Sequence, residues 1–184
     1  AMRKVPRHLF VPDNLATEAY DDCPLPIGYE QTISQPYIVA LMSELLAIKP
    51  DETVLEVGAG SGYQAAVLAE MGCRVISLEI VVPLVERAET TLRNLGYTNV
   101  RVVHADGYDG FVDGAPFDGI IVTAAPDHIP KALVDQLKEG RRLVLPVGVI
   151  DQNLWVIEKT PHGLDKRSVI PVRFVPMTGR AAVD

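Results

Sequence analysis

The chain has 184 residues, 48% of them hydrophobic and 22% charged, which fits one globular domain with a single well-formed core. A net charge of -7 and a pI near 5.1 leave no basic footprint for a phosphate backbone, so nucleic acid is not an expected partner. Cys23 and Cys73 stand far apart with no ligand at metal spacing, no apolar run reaches the ~18 residues of a membrane span, and the start lacks a secretory apolar region. The expectation is therefore a metal-free, cytoplasmic protein with reduced thiols and no membrane contact, monomeric by default.

In chain order, the first unusual stretch is LPIGYEQTISQP (25–36), polar between two prolines and leading straight into the apolar run YIVALMSELLAI (37–48). That run has helical spacing, and Ser34 is placed to cap it, with Pro36 tolerated in its first turn. Five short apolar runs follow, TVLEVG (53–58), RVISLEI (74–80), VRVVHAD (100–106), FDGIIVTAA (117–125) and RLVLPVG (142–148). Each is rich in β-branched residues, as buried parallel strands are. Between them lie helical patterns: QAAVLAEMG after the first strand, a segment from Pro83 to Gly96, and one from Asp127 through Ile129, Leu133, Val134 and Leu137 to Gly140. Strand alternating with helix predicts a doubly wound α/β fold, a mostly parallel sheet with helices on both faces. After Gly148 the rhythm changes to NLWVIEK (153–159) and SVIPVRFVP (168–176), two edge strands joined through PHGLDK.

The segment EVGAGSGYQ (56–64) is a glycine-rich turn between the first strand and its helix. Position 63 is Tyr, so the spacing is G-x-G-x-G rather than the G-x-G-x-x-G of a dinucleotide site. Taken alone, Gly58, Gly60 and Gly62 could simply permit a tight turn. The loop resembles motif I of class I S-adenosyl-L-methionine (AdoMet) methyltransferases, which implies that cofactor and the product S-adenosyl-L-homocysteine. Glu79 and Asp106 end the next two strands at the carboxyl edge, where open α/β sheets bind ligands. Glu79 is expected to accept from the ribose hydroxyls, Asp106 beside Gly107 from the adenine amine, and Glu56 to lie nearest the amino group or sulfonium.

The opening stretch, with VPRHLFVP (5–12), VLEVGAGSGY, VHADG, PFDGIIVTAAP, LVLPVG and VRFVPMTG, resembles the protein-L-isoaspartate (D-aspartate) O-methyltransferases of bacterial or archaeal type over nearly the whole chain. The resemblance implies methyl transfer to the free α-carboxylate of L-isoaspartyl residues in damaged peptides and proteins. The ester collapses to a succinimide, and hydrolysis returns part of it to normal aspartate. It also implies a catalytic Ser34 with Thr32 and Ile33 beside it at the substrate. The family pattern has a further helical segment before VPR, and this chain begins almost at that point; RAAVD (180–184) has no counterpart and reads as a loose tail. The expected organisation is one methyltransferase domain over 1–184, with a covering segment at 1–36, an AdoMet-binding core at 37–148 and C-terminal strands with the tail at 149–184.

The acceptor loop carries no Cys, His or Lys, and the proposed chemistry explains why. A carboxylate with an ordinary pKa near 3.9 is already ionised at neutral pH and needs no base. It must instead be stripped of water and aligned in line with the methyl group. Ser34 is expected to donate a hydrogen bond to it, supported by Thr32, with backbone around Pro146, Val147 and Gly148 gripping the substrate main chain. A small-molecule methyltransferase would share Glu56 to Asp106 without needing EQTISQP. A regulatory AdoMet-binding module would keep the glycines and lose that loop.

Overall fold

The computed structural model describes residues 1–182; Val183 and Asp184 of the expected tail lie outside the described residues. Thirteen labelled elements, nine strands and four helices, follow in chain order. β1 (Leu25–Gly28) and β2 (Gln31–Ile33) form a small antiparallel hairpin apart from the main sheet. Then come α1 (Pro36–Leu46), β3 (Thr53–Val57), α2 (Tyr63–Glu70), β4 (Arg74–Glu79), α3 (Val82–Asn94) and β5 (Val100–His104). The remainder is β6 (Phe117–Val122), α4 (Lys131–Asp135), β7 (Leu137–Val147), β8 (Gln152–Thr160) and β9 (Gly163–Val172).

The main sheet has the order β5-β4-β3-β6-β7-β8-β9. β3 to β7 run parallel, and β8 and β9 are antiparallel additions at the edge. Because side chains alternate across a strand, Val54 and Leu55 are both fully buried yet feed opposite cores. One core joins Val54, Val75, Ile121 and Val144 to α1, α2 and α3; the other joins Leu55, Ile120 and Leu143 to Leu133 of α4. The chain departs from β3 to opposite sides, towards β4 and later towards β6, so the carboxyl ends of these strands frame the crevice expected at such a switch point.

Three local expectations are corrected. The helix expected from Asp127 to Gly140 is only the five residues of α4, and Leu137 already pairs with Phe117 as strand. The loop expected over PHGLDK is a two-residue turn at Pro161 and His162, since Leu164, Asp165 and Lys166 pair with Lys159, Glu158 and Ile157. The end is not loose through Ala182: residues Gly179–Ala182 form a 3-10 turn whose Arg180 N–H donates to Asp106 Oδ2 at 2.8 Å. Among the described residues no helix is long and apolar enough to cross a membrane, and both cysteines are free.

Candidate active site

The glycine loop turns sharply after β3, with Gly58, Gly60 and Gly62 all at positive φ. Gly58 needs more than conformational freedom, because a Cβ there would collide with the Thr123 hydroxyl. That hydroxyl donates to Gly58 O at 2.6 Å and Val57 O at 3.1 Å, tying the ends of β3 and β6 together. Glu79, at the end of β4, accepts from Gly60 N (2.8 Å), Ile80 N (2.9 Å) and Val81 N (2.9 Å). Three main-chain donors fix this carboxylate against the loop. Asp106 accepts from Tyr108 N at 3.0 Å as well as from Arg180 N. Its neighbour Gly107 leaves the space that Val57 occupies, for a Cβ would overlap that side chain.

These groups line one cleft. Gly58, Gly60, Glu79, Asp106 and Gly107 are joined there by Thr32, Ile33 and Ser34 from the acceptor loop. Residues expected from the sequence at the cofactor and residues expected at the acceptor thus share one cleft. A second cavity shares Thr32, Ser34, Thr123 and Val175 with the first and is otherwise walled by residues such as Ile38, Arg173 and Phe174. Ser34 stands where the two meet.

The acceptor loop is built differently from the expectation that Ser34 caps α1. The N-cap position is Gln35, with no side-chain cap bond of its own. Asp22 does the capping from 15 residues away: its Oδ1 accepts from Tyr37 N at 2.8 Å, and its Oδ2 accepts from Gln35 Nε2 at 2.9 Å. Among the described residues no group bonds the Ser34 hydroxyl, which is left for the cleft. Ahead of it, the β1–β2 turn places Tyr29 and Glu30 at φ 55° and 59°. Two-residue hairpin turns demand that conformation, and here two side-chain-bearing residues adopt it at about 1–2 kcal/mol each.

Three expected site residues stand elsewhere. Glu56 is fully buried within the sheet, does not line the cleft, and bonds the Ser77 hydroxyl while its Oε1 has no partner. Burial pushes its pKa up to about 8, with the Ser77 bond opposing the rise and Glu79 adding to it, so the protonated form is favoured at neutral pH. Gly62 faces α3, where a Cβ would meet Leu92 and Ala88, and serves packing. Val147 is paired in β7 with Asn153, outside both cavities, and the Gly148 N–H is already given to Pro126 O at 3.0 Å. Val175, Pro176, Met177 and Thr178 line the cleft instead, laid there by main-chain bonds between Ala125 and both Val175 and Met177. Thr123 and this last stretch were missed as site residues, although both lie in segments on which the resemblance rests.

The family model described as protein-L-isoaspartate(D-aspartate) O-methyltransferase matches residues 1–182. The chain belongs to this family. A protein-L-isoaspartate O-methyltransferase of Gloeobacter violaceus is 57% identical over 180 residues, 97% of this chain and 88% of the relative. One of Synechococcus sp. is 54% identical over 185 residues, 96% and 76% of the two chains. Among solved structures, a protein-L-isoaspartate O-methyltransferase superposes with a TM-score of 0.88 at 31% identity, covering 97% of this chain and 60% of that longer one. A putative family member from Plasmodium falciparum, solved in complex with S-adenosyl-L-homocysteine, gives 0.79 at 29% identity over 96% and 88% of the two chains. As a protein-L-isoaspartate O-methyltransferase, the chain has the doubly wound sheet expected from its strand and helix alternation and the class I fold implied by the resemblance of its glycine loop.

Proposed function

We propose that the two joined cavities are the AdoMet and isoaspartyl sites of a protein-L-isoaspartate O-methyltransferase, with Ser34 at their boundary. The observation that carries the assignment is that Ser34 and Thr32 line both cavities at once. The cleft fits AdoMet: glycines leave room for close approach, Glu79 is a fixed acceptor beside the loop, and Asp106 stands at the next strand end. AdoMet supplies an electrophilic methyl group on a sulfonium.

The chain's residues hold and dry the partners. Glu79 would accept from the ribose hydroxyls, and Asp106 with Gly107 would hold the adenine. The Ser34 hydroxyl, free of the cap, donates to the α-carboxylate of the isoaspartyl residue, and Thr32 supports it. Apolar walls from Ile33, Ile38, Phe174 and Val175 exclude water from an anion that reacts poorly when hydrated. A carboxylate so held would take the methyl group by in-line attack, the carbon–sulfur bond breaking as the carbon–oxygen bond forms, so no residue of the chain has a proton to move. The methyl ester then converts through succinimide toward normal aspartate.

In this reading residues 1–36 cover the acceptor side, 37–148 form the AdoMet core and 149–184 supply the edge strands and the wall at 175–178. In the same reading the protein acts as a cytoplasmic monomer on damaged peptides and proteins. The test is methyl transfer from labelled AdoMet to a matched peptide pair, one with L-isoaspartate and one with normal aspartate. Base-labile ester on the isoaspartyl peptide alone is expected; transfer to neither, with AdoMet bound, would overturn the assignment.

A further inference from the structure

The motif VPRHLFVP carries a group that the reaction described above does not use. Arg7 is 1% exposed. Its Nε donates to Ala19 O at 2.6 Å, its Nη1 to Ser34 O at 2.9 Å and its Nη2 to Cys23 O at 3.3 Å. The guanidinium carbon lies 5.0 Å from the ring centroid of Tyr63, which itself lines the AdoMet cleft. Among the described residues no carboxylate forms an ion pair with it. A cation buried among carbonyls and one ring face, with no ion pair, is a poor stabilising device, since its desolvation offsets most of what these contacts return. What it does well is fix geometry: the planar fork holds three separate stretches of chain in one plane, and only a guanidinium has donors in that arrangement.

We infer that Arg7 is a positioning residue for methyl transfer, holding the main chain of Ser34 so that its hydroxyl is aimed at the acceptor carboxylate. The inference rests on the proposed role of Ser34. Arg7 grips the carbonyl of the residue whose hydroxyl stands in the cleft. Its other two bonds anchor that grip to Ala19 and Cys23, on either side of the capping Asp22 and the exposed Tyr20. Contact with Tyr63 ties the same plane to the start of α2, so the acceptor and cofactor sides share one fixed reference. Shifts of about 1 Å at a reacting group cost about 10²-fold in rate, and release of the Ser34 carbonyl permits a shift of that size.

The experiment is a double-mutant cycle of Arg7→Met and Ser34→Ala, with kcat measured at saturating isoaspartyl peptide well below each melting temperature. S-adenosyl-L-homocysteine affinity serves as the control for the cofactor side. Arg7→Met is expected to lower kcat by about 10- to 100-fold while the control affinity stays within about 3-fold. The double variant is expected to be no slower than Ser34→Ala alone, because a group that acts through Ser34 has nothing left to position. If the two losses multiply, or if Arg7→Met keeps the wild-type kcat, Arg7 is only structural and the inference falls while the role of Ser34 stands. A Ser34→Ala enzyme with full kcat overturns that role and this inference with it. If Arg7→Met gives no cooperative melt, Arg7→Lys carries the same cycle, since an ammonium keeps the charge and loses the fork, and its outcomes are read in the same way.

Discussion

The two halves of the cleft are held in opposite ways. On the cofactor side, Glu79 is fixed by N–H groups from its own strand end and from the glycine loop one strand away, so local backbone does the holding. On the acceptor side, Ser34 is held through its carbonyl by Arg7, 27 residues earlier, and the helix that follows it is capped by Asp22, 15 residues before Tyr37. Backbone donors survive every substitution except proline, whereas side-chain supports do not. The cofactor half is thus robust and readable from spacing, and the acceptor half depends on contacts that no short window contains.

The largest effect expected from breaking this arrangement is at Ser34. In the proposed reading Ser34→Ala removes one neutral donor to a reacting oxygen, and loss of such a donor typically costs about 10²–10³ in kcat. AdoMet affinity should be unchanged, because the hydroxyl is absent from the network around Glu79. Equal losses in kcat and in AdoMet binding, read by turnover and calorimetry on one preparation, would show that the halves are not separable. Glu79→Gln makes the converse break. Three N–H donors face the carboxylate, and hydrogen bonds to a charged acceptor contribute about 1.5–3 kcal/mol. AdoMet affinity should fall about 10- to 100-fold while KM for the peptide hardly moves.

Glu56 sharpens the comparison from within the sheet. The unfolded chain ionises this carboxyl near the ordinary 4.5 and the folded chain near 8. Below about 4.5 both states carry the proton and nothing is lost. As the pH rises from there, the unfolded chain alone gives up its proton, and stability falls by about 1.4 kcal/mol per pH unit until the folded group titrates near 8. Glu56→Gln removes that contribution. Urea melts of both proteins at pH 5, 6.5 and 8 should diverge in the variant's favour as the pH rises, and parallel profiles would show that Glu56 is not a buried neutral acid.

How much of this was legible follows the same division. The five parallel strands were readable because residues buried on both faces leave continuous β-branched runs, and Gly58, Gly60, Glu79, Asp106 and Gly107 fell at their carboxyl ends by position alone. Glu56 belonged to that pattern but not to the cleft, because its strand position points its side chain inward at Ser77. α4 was overestimated because Leu133, Val134 and Leu137 keep helical spacing across a boundary where Leu137 turns to strand. The start of β9 was missed because an edge strand can be polar throughout its exposed start, and GLDK reads as loop. The β1–β2 turn lacks the Asn-Gly pair that usually announces one. Thr123 left a faint signal, a hydroxyl ending an apolar strand; Arg7 was marked only as part of the VPRHLFVP resemblance and Asp22 not at all, since their partners are distant in sequence.

Asp22 offers the gentlest break, and the one that separates capping from positioning. Asp22→Ala removes the acceptor for Tyr37 N and Gln35 Nε2 but leaves the Arg7 bond to Ser34 O untouched. Loss of a helix cap costs about 1 kcal/mol, so the melting temperature should drop by a few degrees. Because the Ser34 hydroxyl takes no part in the cap, kcat at saturating peptide should stay within about 3-fold of wild type, a change near the ~0.6 kcal/mol of thermal energy. A loss of kcat approaching that of Ser34→Ala would mean that the start of α1, and not Arg7, sets the position of the hydroxyl. The acceptor half would then be held by its helix, much as the cofactor half is held by its strands.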